Sequence, residues 1–366
     1  MSAAPGRSQA SSHRSPQGEG TPVSAALRAL VQWLGRGGGP LLLWLAGVGG
    51  LWGAAAPAQA DATEAPNCGQ VEAVPWQRLA PGVWVWPSAL PGDVSAANAG
   101  HVAPTSVVID PGPSHQHGLR LRHALACRFQ ARVRWIINTH AHAENVLANS
   151  AFADLLAAGR LEILASVATR EAMQRRCPDC LASLSAKVGA DAMAGTQIVL
   201  PSRALTEGEV LRVGRHRLRV MRVEQGHTEG DLVLWSARER MLWAGGLVVG
   251  ERVPELAQGS VDGWLAALER LAALRPRQVL GTVWSLAPTV GEPPPALGAT
   301  ESYLKALRVR VLQAMDEGHQ PQDTAWGELP AYRTWAGYSE RHGFNLQRAW
   351  RELEPVWMEQ GATSTK

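Results

Sequence analysis

Lysine is almost missing from this chain of 366 residues, occurring only at Lys187, Lys305 and Lys366, so arginine supplies nearly all of the 35 cations. Phenylalanine and tyrosine are scarce too, with three of each against 15 tryptophans. Like-charged residues form no long run, and beyond residue 60 cations and anions balance, so the formal net charge of +3 belongs to the leader. The body therefore lacks the basic run beside an aromatic stripe that nucleic-acid binding requires, and no nucleic-acid partner is expected. Beyond residue 60 no apolar stretch is long enough to span a bilayer. What remains is a chain 46% hydrophobic and 18% charged, with ample material for a buried core.

Residues 1–39 are rich in Ser, Gly, Pro and Ala, with Arg7, Arg14, Arg28 and Arg36 opposed only by Glu19. They read as a disordered, basic n-region. The uncharged segment 40–56 follows, then Ala58-Gln59-Ala60, small residues where a signal peptidase cuts. Residues 1–60 are therefore expected to be a secretory signal cleaved near Ala60, with a periplasmic mature protein and no membrane contact after cleavage. The alternative is an uncleaved anchor in the inner membrane, although residues 40–56 fall short of the ~20 needed to span comfortably.

Four cysteines remain after cleavage, Cys68, Cys127, Cys177 and Cys180, an even count that suits disulfides in an exported protein. Cys177-Pro-Asp-Cys180 has the spacing of a thioredoxin-type redox motif, but it follows the helical stretch 167–176 instead of opening a helix. A structural disulfide between Cys177 and Cys180 is expected, leaving Cys68 with Cys127. A redox or persulfide-handling pair is the other reading.

Apolar periodicity predicts strands at 82–86, 106–110, 133–137 and 161–165, interleaved with helices at 118–129 and 145–157. An irregular stretch carrying the cysteine pair follows. Strands at 217–223, 231–235 and 241–243 are spaced like a meander. Helices at 261–274 and 301–317 flank a strand at 278–280, and the Pro/Gly-rich segment 291–299 reads as a loop. This order predicts an α/β chain in which two stacked sheets carry helices on their outer faces. One domain is expected over 61–290, with a helical extension over 291–366 packed on it.

The chemistry concentrates in Asn138-Thr-His140-Ala-His142-Ala-Glu144-Asn145 and in Gly226-His227-Thr-Glu-Gly-Asp231. Each follows a predicted strand and ends in a polar turn, where imidazoles from distant stretches can converge. Neutral imidazole is the commonest zinc ligand, and three protein ligands plus a water make a catalytic zinc site. His101, His115, His117, His123 and His216 have no partner at such spacing and read as surface or loop residues.

Together with Val107-Val-Ile-Asp110-Pro-Gly-Pro, these motifs resemble the metallo-β-lactamase fold hydrolases over most of residues 70–285. The segments 251–264 and 343–354 are similar to the quinoprotein relay system zinc metallohydrolases, exported proteins associated with periplasmic quinoprotein or sulfur-compound oxidation. The resemblance implies a four-layer αββα sandwich with a metal centre at one edge. It assigns His140, His142 and His227 as ligands of a first zinc. Asp110 would support them without touching the metal, and Asp231 would play a structural part beside His227.

The chain departs from the family pattern where a second metal would bind. Glu144 and Asn145 stand in place of an Asp-His pair, Gly246 in place of the bridging Asp, and no histidine lies within 280–285. One Zn(2+) is therefore expected, with Glu144 assisting its water as general base, and Trp284 is a candidate to fill the vacated space. Two functions follow: a single-zinc periplasmic hydrolase acting on a small molecule, with a periplasmic quinoprotein system as possible partner, or an inactive accessory protein that keeps the fold.

Overall fold

The computed structural model describes Cys68, residues 76–86, 105–130 and 132–364. The leader, and with it the signal-peptide reading and His101, lies outside these residues. A small hairpin of β1 (Gln77–Ala80) and β2 (Val83–Val85) precedes two sheets. The first contains β3 (Thr105–Ile109), β4 (Arg132–Ile137), β5 (Glu162–Ala165) and β6 (Arg203–Ala204), all parallel and in that order. The second comprises β7 (Val210–Val213), β8 (His216–Val223), β9 (Asp231–Ser236), β10 (Met241–Trp243), β11 (Gln278–Leu280) and β12 (Trp284–Leu286). Its order is β12-β11-β10-β9-β8-β7, antiparallel except for the β10–β11 pair.

Among the described residues, seven α-helices flank them: α1 (His115–Phe129), α2 (Ala143–Val146), α3 (Ala153–Ala157), α4 (Val167–Val188), α5 (Val261–Ala273), α6 (Pro295–Asp316) and α7 (Tyr338–Ser364). The layers follow from strand alternation, because successive side chains point to opposite faces. Val107, Ile109, Ile137 and Leu164 of the parallel sheet meet Leu232, Leu234, Met241 and Trp243 of the mixed sheet in an apolar layer between the two. Their neighbours Val108, Ile136 and Ile163 face outward onto Leu121, Leu125 and Phe152. On the opposite side Val233, Leu242 and Val279 pack against Trp264, Leu304 and Leu353. Both faces of the central strands are covered, so they read as continuous apolar runs. Each such Val, Leu or Ile contributes about 1.5–3 kcal/mol by leaving water. The fold is the expected αββα sandwich. α6 and α7 share one apolar cluster with α5.

Several local expectations are corrected. The predicted helix over 145–157 is split, with a 3-10 segment Leu147–Phe152 between α2 and α3. That turn packs so closely on α1 that a Cβ at Gly118 would sit 2.5 Å from the Ala151 Cβ. The Pro-rich loop ends early, because α6 starts at Pro295, a residue suited to the first helical turn. His216 and His117 are not surface residues: His216 is 2% exposed, with Nδ1 3.2 Å from a Glu239 oxygen, and His117 stacks on Trp86 at 4.6 Å. Burial lowers the His117 pKa to about 4.

The cysteine pairing is half right. Cys68 and Cys127 form a disulfide, whereas Cys177 and Cys180 are free thiols. Pro178 does not end the preceding helix, and α4 runs through both cysteines to Val188. Side chains three apart on a helix have Cβ atoms about 5–6 Å apart, beyond the ~3.8 Å of a disulfide. Cys177 instead packs in an apolar cluster with Ala141 and Val146, where burial pushes its thiol up to about 12. Such a thiol is inert at neutral pH.

Candidate metal centre

Strands β3, β4 and β5 end on the same side of the parallel sheet, and their C-terminal extensions build one wall of the site. Asp110 takes a left-handed φ of 50° and receives hydrogen bonds on its carboxylate from the Thr139 amide (2.8 Å) and hydroxyl (2.6 Å). Since the Thr139 hydroxyl proton is committed to Asp110, its oxygen accepts from His140 Nδ1 at 2.8 Å. That fixes the tautomer, leaving the lone pair on His140 Nε2. Burial pushes the Asp110 carboxyl up to about 7, against the lowering effect of the Thr139 bonds.

The opposite wall is the turn between β8 and β9. Asp231 accepts from the Thr228 amide at 3.0 Å and its hydroxyl at 2.6 Å, closing the turn that carries His227. Here too burial pushes the carboxyl up to about 7. Ser166 and Thr169 at the start of α4 both donate to the Gly230 carbonyl at 2.7 Å, and the Leu232 amide donates to the Thr139 carbonyl at 2.8 Å. The His227 turn is thereby fastened to the parallel sheet. His227 Nδ1 donates to the Glu255 carbonyl at 3.1 Å, so Nε2 carries the lone pair. Its ring lies 5.0 Å from the fully buried Trp264, whose indole N–H is held by the Leu247 carbonyl.

His140, His142 and His227 converge. One nitrogen of each lies within 4.8 Å of the other two, and all three residues are buried. His227 Nε2 and His142 Nδ1 are 3.1 Å apart, close to the ~3.3 Å between ligand atoms in a tetrahedral site with ~2.0 Å bonds. Burial, with the neighbouring imidazoles adding to it, holds His140 and His227 well below the usual histidine range. Both are therefore neutral at pH 7, the form that binds a metal. The donor set fits one ion of zinc type: three converging imidazole nitrogens, with the ring protons of His140 and His227 fixed by hydrogen bonds.

Glu144 lies beside this cluster, 40% exposed, with a carboxylate oxygen 3.8 Å from His142 Nδ1. Asn145 donates from Nδ2 to His140 Nε2 at 3.0 Å and must swing aside for that nitrogen to hold an ion. Gly246, in the 3-10 turn Gly245–Leu247, packs directly under the His227 ring. A Cβ there would lie 2.0 Å from Cδ2 and 2.5 Å from Nε2. The preceding Gly245 has φ 52° and leaves equally little room beside Thr139. Trp284 does not enter the site: its indole bonds Gln278 and its ring packs against the inter-sheet layer. The open pocket above the histidines is lined instead by Val249, Arg252, Val253, Glu255, Thr282 and Arg341.

Sequence reasoning missed Thr139, Trp264, Glu255 and Arg341. Thr139 sits in the quoted motif, and a hydroxyl beside a ligand histidine was the available signal. The Glu255 contribution is a main-chain carbonyl, which no sequence pattern marks.

Residues 105–281 match the family model described as Metallo-beta-lactamase superfamily. Among solved structures the chain is similar to "Metallo-beta-lactamase from Pontibacter korlensis", with 18% identity over 63% of this chain and 98% of that one and a TM-score of 0.47. It is also similar to a metallo beta lactamase from Erythrobacter litoralis with beta mercaptoethanol in the active site, with 15% identity over 63% and 95% and a TM-score of 0.46. No curated protein matches the chain. Residues 105–281 are thus similar to the metallo-beta-lactamase superfamily, whose members are usually metal-dependent hydrolases.

Proposed function

We propose that this protein is an exported, single-zinc hydrolase of a small molecule, with the ion held by His140, His142 and His227. The observation that carries this reading is the pairing of three converging imidazole nitrogens with a glycine at 246 whose missing side chain leaves room for the His227 ring. A bound zinc supplies Lewis acidity and lowers the pKa of its water to ~7. Glu144 extends a carboxylate to the same side of the cluster. There it takes up the proton of the attacking water and returns it to the leaving group, a role contributing typically 10²–10⁴-fold. Asp110, acting through Thr139, keeps His140 in its binding tautomer.

The disulfide between Cys68 and Cys127 supports export, as does the basic leader ending in an apolar segment. Among the described residues no helix is long and apolar enough to cross a membrane. The likeness of 251–264 and 343–354 to the quinoprotein relay branch supports work beside a periplasmic quinoprotein or sulfur-compound oxidation system.

Elemental analysis tests the centre. About one zinc per chain is expected, lost in His227→Ala, and turnover on a panel of esters, thioesters and lactams is expected to disappear in Glu144→Gln. Protein that takes up no zinc from excess metal would sink the reading. The changes at Asn145 and Gly246 favour a second reading, an accessory protein that keeps the fold, which zinc binding without turnover on any of these substrates would support.

A further inference from the structure

The second site is on the far part of the mixed sheet, on its outer face. In β8 arginine alternates with buried residues, so that Arg217 and Arg219 emerge on the same side as Arg212 of β7. Arg215 and Arg238 stand beside them, and all five are exposed. Arg212 lies directly across the ladder from Arg217, an arrangement of like charges that destabilises a sheet. Among the described residues no carboxylate lies within ion-pair distance of Arg212, Arg217 or Arg219. Farther along the same strand, by contrast, Arg222 has Glu224 at 3.8 Å. Arg215, Arg217, Arg219 and Arg238 rim a groove of about 460 Å³ floored by Trp235, which faces Arg219 across the ladder. A strained cationic cluster on a body whose charges balance overall calls for an anionic occupant.

We propose that this groove docks an acidic, extended segment of a partner protein. Alternate side chains along β8 repeat at about 6.8 Å, which is also the repeat of alternate side chains in an extended peptide. The planar fork of arginine pairs two-toothed with a carboxylate. Trp235 is only 8% exposed, so it offers no face for stacking bases, as single-stranded nucleic acid would need. The surface is concave and of its exposed large apolar residues presents Val210 alone, which does not suit insertion into a bilayer. The proposal does not depend on the metal centre.

Fluorescence anisotropy of a labelled deca-glutamate peptide with the full chain tests it. Binding is expected at low salt and should weaken steeply as salt rises. Arg217→Glu with Arg219→Glu should weaken it at least tenfold, while Arg351→Glu, on the exposed side of α7, should leave it within about twofold. Arg217→Glu alone replaces the like-charged pair by an ion pair with Arg212, and should raise the thermal midpoint by about 1–4 °C while weakening binding. Absent binding, binding indifferent to the double variant, or a lowered midpoint in Arg217→Glu would overturn the proposal. So would tighter binding of phosphatidylglycerol vesicles or of a thymidine decanucleotide through the same arginines.

Discussion

Replacing Gly246 by alanine adds one methyl group, and its consequence can be worked out from distances. The new carbon would lie 2.0 Å from His227 Cδ2 and 2.5 Å from Nε2, against the ~3.5–4.0 Å at which carbon atoms rest. One partner must therefore move by roughly 1.5 Å. The turn at 246 is pinned by its buried neighbours Ala244 and Leu247. His227 is held by the Glu255 carbonyl on one side and Trp264 on the other. Overpacking of this kind costs about 1–3 kcal/mol. At about 2–4 °C per kcal/mol, the thermal midpoint of the metal-free protein should drop by roughly 2–12 °C. Shifting a ligand ring should also weaken zinc by about tenfold or more, readable by competition with a chromogenic chelator. Gly246→Asp, which places a carboxylate where the family carries its bridging aspartate, should be worse on both measures and should not create a second zinc site. A Gly246→Ala protein with unaltered melting and zinc affinity would refute the close-packing argument and reopen the question of a second ion.

Four further outcomes follow from other residues. Asp110→Asn cannot accept both Thr139 bonds while keeping the tautomer chain intact, so zinc affinity should fall 10–100-fold, and unchanged affinity would remove Asp110 from the site's support. Burial raises Asp231 to about 7, above its ~3.9 in an unfolded chain. The native state therefore binds the extra proton between those values, and stability is lost as pH rises through about 7. The melting midpoint of metal-free wild type, measured against that of Asp231→Asn, should accordingly fall from pH 5 to pH 8, and a flat or rising difference would contradict the assignment. Titrating the unreduced, denatured protein with a thiol reagent should find two thiols, Cys177 and Cys180. Opening the Cys68–Cys127 link, with its separation of 59 residues, should cost about 4 kcal/mol, seen as a lower denaturation midpoint in reductant.

The αββα layering was readable because strands such as 107–109 and 231–235 alternate between two apolar environments, and because the helices between them are apolar on one face. The convergence of His140, His142 and His227 was readable because each lies in a recognisable polar turn beyond a strand. Less legible was whatever depends on packing between distant segments. Cys177 and Cys180 looked like a closed pair because the helical pattern was read as ending at residue 176, whereas the helix continues through both and separates their Cβ atoms. His216 looked superficial because its carboxylate partner, Glu239, lies 23 positions away, across a hairpin. The arginine cluster escaped notice for a different reason. A search for runs of charge misses arginines at 217 and 219, since a strand gathers every second residue on one face.

The three imidazoles belong to different sheets: His140 and His142 follow β4, while His227 lies between β8 and β9. An ion bound to all of them would consequently also be a rivet, reinforcing two layers that apolar contact and the bonds of Ser166, Thr169 and Leu232 already join, and closing a loop of chain from 142 to 227. Extraction of that ion should open a seam, and the chelated protein should be cut by proteases first at the 226–230 turn, long before the sandwich as a whole comes apart.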